Sequence, residues 1–114
     1  MQIETETHGT DLVVKVLSPR IDAASAIQFK DRMREIGGES GGRLILDMGA
    51  VDFIDSSGLG AIVSAMKTRG DGAPMELAAL TEKVVKVFRL TRMDSMFTVH
   101  DTVPDALAHG RNAA

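Results

Sequence analysis

The chain has 114 residues, 44% of them hydrophobic and 25% charged, so a single domain over 1–114 is expected, because two would each have too small a core. A net charge of −3 and four aromatics, all Phe, give no general pull toward nucleic acid or anionic lipid and little material for base stacking, so neither is expected as a direct partner. The lack of Cys excludes disulfides, thiolate catalysis and Cys-ligated zinc.

Met1-Gln2-Ile3-Glu4 lacks the basic-then-apolar order of a signal peptide. No apolar run nears the ~20 residues of a membrane span, and a cytoplasmic address is expected. Residues 2–7 alternate weakly, His8-Gly9-Thr10-Asp11 reads as a turn, and Leu12 to Leu17 is β-branched and apolar. Together they predict a hairpin whose pairing loosens at Pro19. Ala26, Phe29, Met33 and Ile36 then fall at helical spacing, with Ile27 beside them and Asp22 in the N-cap region. Gly37-Gly38 stops this helix and Gly41-Gly42 extends the break. Arg43 to Met48 is a short apolar run with the marks of a strand buried on both faces.

After Val51, Phe53 and Ile54 comes Asp55-Ser56-Ser57-Gly58-Leu59-Gly60, and a helix follows with Leu59, Ile62, Val63 and Met66 on one stripe, ending before Gly70. Met75 to Leu80 reads as another strand. Thr81 is expected to cap a helix carrying Val84, Val85, Val87 and Phe88. Phe97 to His100 reads as a last strand. Thr102-Val103-Pro104-Asp105 opens a last helix that fades into a short flexible tail near 109–114. Strands alternating with helices predict an α/β fold: a mixed, mostly parallel sheet with an N-terminal hairpin and helices packed on it.

Asp55, Ser56 and Ser57 sit where a helix begins, and such residues accept hydrogen bonds from its first free N–H groups. Gly58 and Gly60 inside the first turns each cost about 0.5–1 kcal/mol relative to Ala. Either another backbone or a partner comes very close there, or the turn needs unusual dihedrals. A plain N-cap with small residues for helix–sheet packing is the competing explanation.

The segment 44–67, "LILDMGAVDFIDSSGLGAIVSAMK", resembles the core of STAS domains, and among them the stand-alone bacterial anti-sigma-factor antagonists. Ile54 through Gly60 match the family pattern without a gap. Ile21-Asp22 resembles its Leu/Ile-Asp before the first helix, and Val87 to Thr91 with Met96-Phe97 its third helix and last strand. The resemblance implies a single STAS domain without catalysis or a cofactor of its own. It implies Ser56 as a phosphorylated residue, with Asp22, Asp55, Ser56, Ser57, Gly58, Leu59 and Gly60 at the partner surface. The implied partners are an anti-sigma factor that is also a serine kinase using ATP, and a serine phosphatase that resets the site. The chain itself is expected to be a monomer or weak dimer. The chain departs from the pattern at Pro19-Arg20, where many members have Gly-Glu, and at Arg92, where a Gly often follows Leu-Thr. The first departure bears on partner choice, the second on the C-cap of the third helix.

Two other functions fit parts of the sequence. A STAS scaffold subunit of a signalling or transport assembly would use the fold without phosphorylation. A serine hydrolase would use Ser56, but Gly-x-Ser-x-Gly is missing and no histidine base is evident. His8, His100 and His109 have no metal-ligand spacing. The glycine-rich Gly37 to Gly42 lacks the Gly-Lys-Ser/Thr of a phosphate-binding loop. Lys83, Lys86, Arg89 and Arg92 form either a solvated helix face or a secondary docking patch for an acidic partner.

Overall fold

β-Branched residues on either side of a tight turn set up the first two strands. In the computed structural model, which describes residues 1–37, 42–69 and 74–112 (the last three without their side chains), β1 (Ile3–His8) and β2 (Asp11–Val16) form an antiparallel hairpin. Gly9, at the first central position of its two-residue turn, has φ +63°, a conformation that glycine adopts without a Cβ penalty. β2 then pairs in parallel with β4 (Leu44–Asp47), β4 with β6 (Met75–Ala78), and β6 with β7 (Val99–His100), giving the order β1-β2-β4-β6-β7. The α/β architecture expected from the sequence is the one observed.

A second, two-stranded sheet was not foreseen. β3 (Arg20–Ile21) and β5 (Phe53–Ile54) pair in parallel, Arg20 opposite Phe53 and Ile21 opposite Ile54. Two residues are too few to show a period, so only tertiary pairing reveals these strands. Pro19, expected to loosen pairing, has left β2, and its carbonyl accepts the N–H groups of Asp52 and Phe53.

Period-2 alternation gives the main sheet two different faces. Val14, Val16, Leu44, Leu46, Met75 and Leu77 face the larger core with α1 (Ala26–Gly37), α2 (Ser56–Arg69) and α3 (Glu82–Leu90). Val13, Ile45 and Ala78 face α4 (Val103–Asn112) through Ala106, Val103 and Leu107. On α1 the expected stripe is buried, except that Ile27 is 68% exposed. On α2, Leu59, Ala61, Ile62 and Ala65 are buried while Val63 and Met66 are only half-buried. α4 runs on to Asn112, through most of the expected tail. The expected glycine breaks at Gly38, Gly41 and Gly70 lie outside the described residues.

Thr81 holds the N-cap position of α3 without capping it. Its hydroxyl donates instead to the Val51 carbonyl at 2.8 Å, which ties α3 to the segment leading into β5. The departure at Arg92 falls at the far end of α3. Its Thr91 and Arg92 N–H groups close on Val87 and Arg89, and Arg92 takes the left-handed conformation at φ 59°, ψ 21°. A non-glycine residue there is strained by roughly 1–2 kcal/mol. Lys83, Lys86, Arg89 and Arg92 are all exposed, beside Leu90 at 85% exposure.

Arg92→Gly removes this strain at the cost of a more flexible unfolded chain, and a net gain of about 0.5–1 kcal/mol is expected. Urea denaturation of the two proteins measures it; an unchanged midpoint would show that the left-handed turn carries no strain.

Candidate functional site at two helix N-termini

Two helices begin side by side at the carboxyl ends of β3 and β5. Residues 23–25 form a turn before α1, whose ladder starts with the Ala26 N–H on the Asp22 carbonyl at 2.8 Å. Asp22 Oδ1 accepts the N–H groups of Ala24 and Ser25 at 3.1 and 3.3 Å, and Ser25 Oγ accepts the Asp22 N–H at 3.1 Å. This is the reciprocal bonding of a capping box, and it bears out Asp22 as a cap.

Asp55 does the same for α2 and more. Its carbonyl accepts the Leu59 N–H at 2.9 Å, and its Oδ1 accepts the Gly58 N–H at 2.9 Å. Its other oxygen, Oδ2, accepts the Ala23 N–H at 3.1 Å, 32 residues away in sequence. One half-buried carboxylate therefore satisfies free donors at the start of both helices, where both positive helix ends favour an anion.

Gly58 is where backbone must pass close to backbone. A β-carbon there would lie 2.0 Å from the Ile21 carbonyl oxygen and 2.9 Å from Ile54 Cγ1. At Gly60 a β-carbon would meet nothing within 4 Å. The two glycines thus part company. Gly58 is buried and serves the fold, and Leu59 at 7% exposure is a core residue. Ser56, Ser57 and Gly60 are exposed. Neither serine hydroxyl has a hydrogen-bond partner among the described residues.

The third feature is invisible in the linear sequence. Arg20 Nε donates to Asp22 Oδ2 at 3.1 Å, and its guanidinium carbon lies 4.0 Å from the centre of the Phe53 ring. The hydrogen bond from Arg20 is the main cause that holds the Asp22 carboxyl below its ordinary value; partial burial opposes it, and Ser25 adds to it through its side chain and N–H. No histidine joins the serines. His100 Nε2 lies 2.7 Å from Glu76 Oε1 beneath α4, its ring 5.5 Å from that of His109, and His8 lies beside Glu6 at the hairpin. Among the described residues no group of three or more His, Cys, Asp or Glu is arranged to hold a metal ion. Among the described residues no helix is long and apolar enough to cross a membrane.

Gly58→Ala forces a methyl against the Ile21 carbonyl and should lose about 1–3 kcal/mol, whereas Gly60→Ala, in open space, should gain up to about 1 kcal/mol. Thermal melts of both variants decide it. Equal melting temperatures would contradict the asymmetry. Because the folded Asp22 carboxyl titrates below the unfolded one, its contribution to stability is complete above the ordinary carboxylate range. It is lost as pH falls through the folded value. A carbon-13 titration that places Asp22 at or above the ordinary value would contradict this.

Comparison with known proteins places the fold and the family. The STAS domain family model matches residues 2–106. The anti-sigma-B factor antagonist of Listeria monocytogenes is 25% identical over 114 residues, covering 99% of this chain and 98% of the relative. The crystal structure of an anti-sigma factor antagonist from Mycobacterium paratuberculosis superposes with a TM-score of 0.86 at 25% identity, over 96% of this chain and 93% of that one. The phosphorylated form of the Bacillus cell fate determinant SpoIIAA shares the fold alone, with a TM-score of 0.67 at 18% identity over 95% and 98% of the two chains. With the family model spanning nearly the whole chain and the motif Asp55 to Gly60 placed at the start of α2, this protein belongs to the STAS domain family, and its relatives include anti-sigma factor antagonists.

Proposed function

We propose that this chain is an anti-sigma-factor antagonist and that Ser56 is its switch. Its unphosphorylated form binds an anti-sigma factor, which is also a serine kinase, and so releases the sigma factor. Phosphorylation of Ser56 ends that binding. The carrying observation is Ser56 itself, which is exposed at the first position of α2, with a hydroxyl that no described residue engages.

The reaction is a transfer to a serine. The Ser56 oxygen bonds to the γ-phosphorus of ATP, ADP leaves, and the hydroxyl proton passes to a base of the kinase. A phosphatase later returns the serine and inorganic phosphate by adding water. The phosphate brings about −1.5 to −2 charges to a helix N-terminus, which accepts anions well, so the fold tolerates it. SpoIIAA, which has the same fold, exists in a phosphorylated form, in line with that tolerance. The cost falls on the partner, which meets new bulk and negative charge beside Asp22 and Asp55. Gly60 leaves room for close approach of a partner's backbone along α2, next to a shallow depression lined by Val63, Ser64, Lys67 and Thr68. Gly58 and Leu59 contribute through the shape of the turn, being buried.

Phosphopeptide mapping after incubation with the partner kinase and ATP is expected to find the phosphate on Ser56. Ser56→Ala should bind the anti-sigma factor normally and resist inactivation. Ser56→Asp should keep its fold by circular dichroism and bind about tenfold more weakly by calorimetry, equivalent to about 1.4 kcal/mol. Phosphate confined to Ser57, or full affinity in Ser56→Asp, would refute this switch.

A further inference from the structure

The two segments that lead into α1 and α2 have an uneven charge. From Pro19 to Phe29 and from Ala50 to Gly60 stand three carboxylates, Asp22, Asp52 and Asp55, and a single cation, Arg20. A phosphate on Ser56 would add a dianion to this acidic surface. The helix N-terminus offers it backbone donors, but Asp55 already occupies the Gly58 N–H.

Arg20 is built to meet that charge. Its backbone is fixed by the β3–β5 pairing opposite Phe53, and its side chain is fixed twice more, by the Phe53 ring and by Asp22. Only Nε is used in that hydrogen bond. The two terminal nitrogens of the guanidinium have no acceptor among the described residues, and the side chain is 56% exposed. A planar fork with its entropy already reduced and its far edge free is the donor arrangement that suits a phosphate. The topology supplies proximity: Arg20 is two residues before Asp22, Asp55 bonds the N–H of Ala23, and Ser56 follows Asp55. A phosphate with about −1.5 to −2 charges also attracts a guanidinium more than a singly charged carboxylate at the same distance.

We propose that Arg20 is the phosphate-reading residue of this switch: its two terminal nitrogens bind the phosphate on Ser56, while Nε stays on Asp22 and the plane stays on Phe53. The inference rests on Ser56 being the modified serine. It adds an internal clamp that hides part of the phosphate's charge within the domain and orders the β3–α2 rim in the phosphorylated state.

The test uses full-length chain in which phosphoserine is installed at position 56 during translation, so no kinase is involved. A phosphorus-31 titration reads the second ionisation of the phosphate. The wild-type protein is expected to lose that proton about half a pH unit or more below Arg20→Gln, with Arg20→Lys between them. Asp22, Asp52, Asp55 and the helix N-terminus are common to all three proteins, so a difference reports Arg20. The Arg20 Nη–H protons should also shift on phosphorylation of the wild type. Equal midpoints in wild type and Arg20→Gln, both folded by circular dichroism, would overturn the clamp. So would an unchanged titration accompanied by weaker binding of unphosphorylated Arg20→Gln to the anti-sigma factor, because Arg20 would then be a partner contact. Mapping that places the kinase's phosphate on Ser57 would overturn the switch at Ser56 while leaving the titration interpretable.

Discussion

The carboxylate of Asp55 is the tie on which the functional end of the molecule depends. Free N–H groups at the start of a helix need acceptors, and here one carboxylate serves donors at two helix starts. One oxygen closes the first turn of α2 on Gly58 and the other reaches Ala23 before α1. The electrostatic logic is the same at both ends, since each helix presents partial positive charge. Because both bonds come from one side chain, the spacing of the two helix starts is fixed along with the direction in which Ser56 emerges.

That tie works only because β3 and α2 are in backbone contact. The Ile21 carbonyl occupies the space where any side chain at residue 58 would begin. Ile21 and Ile54, paired across the small sheet, are themselves buried in the larger core. Apolar burial therefore positions the polar site: the core holds Ile21 and Ile54, they hold the rim, and the rim holds the serine. Thr81 extends the same support, since its hydroxyl anchors the Val51 carbonyl just ahead of β5. The opposite face of the sheet is organised by charge. Arg43, whose side chain is 9% exposed, donates to Asp11 at 2.8 Å and to Glu76 at 3.0 Å; these partners raise its already high pKa, chiefly through the hydrogen bond that Asp11 accepts, against the effect of burial. A largely buried guanidinium needs such partners to offset its desolvation.

The charges at the rim give the site its character. Exposed ion pairs contribute little to stability, typically about 0–1 kcal/mol, so the Arg20–Asp22 pair matters less for the fold than for the potential around Ser56. A serine with an idle hydroxyl, flanked by carboxylates and one pre-positioned guanidinium, is a place where a change of about two charges alters what can dock. Small side chains at Ser57 and Gly60 keep the approach open.

Much of this was legible in the residues. Helical spacing of apolar residues gave the helices, because a half-buried helix must place them on one face, while short apolar, β-branched runs between turn residues gave the hairpin and the central strands. Asp55-Ser56-Ser57 read as a helix start, and Asp22 as a cap, because free backbone donors demand such side chains locally. What escaped was non-local. β3 and β5 are too short to carry a period, and Phe53 and Arg20 are 33 positions apart before the sheet sets them face to face. Ile27 adjoins a buried stripe in sequence while its azimuth turns it to solvent, and Thr81 holds a cap position while its hydroxyl goes to Val51. The two glycines were alike in sequence and are opposite in role. The sequence by itself determined which segments are helix or strand and where a helix begins at a serine, since those follow from neighbours a few residues away. Only the tertiary structure decided that Gly58 lies against a distant carbonyl while Gly60 is open, and that Arg20 packs on the Phe53 ring, because those depend on which distant backbone the hydrophobic core brings alongside.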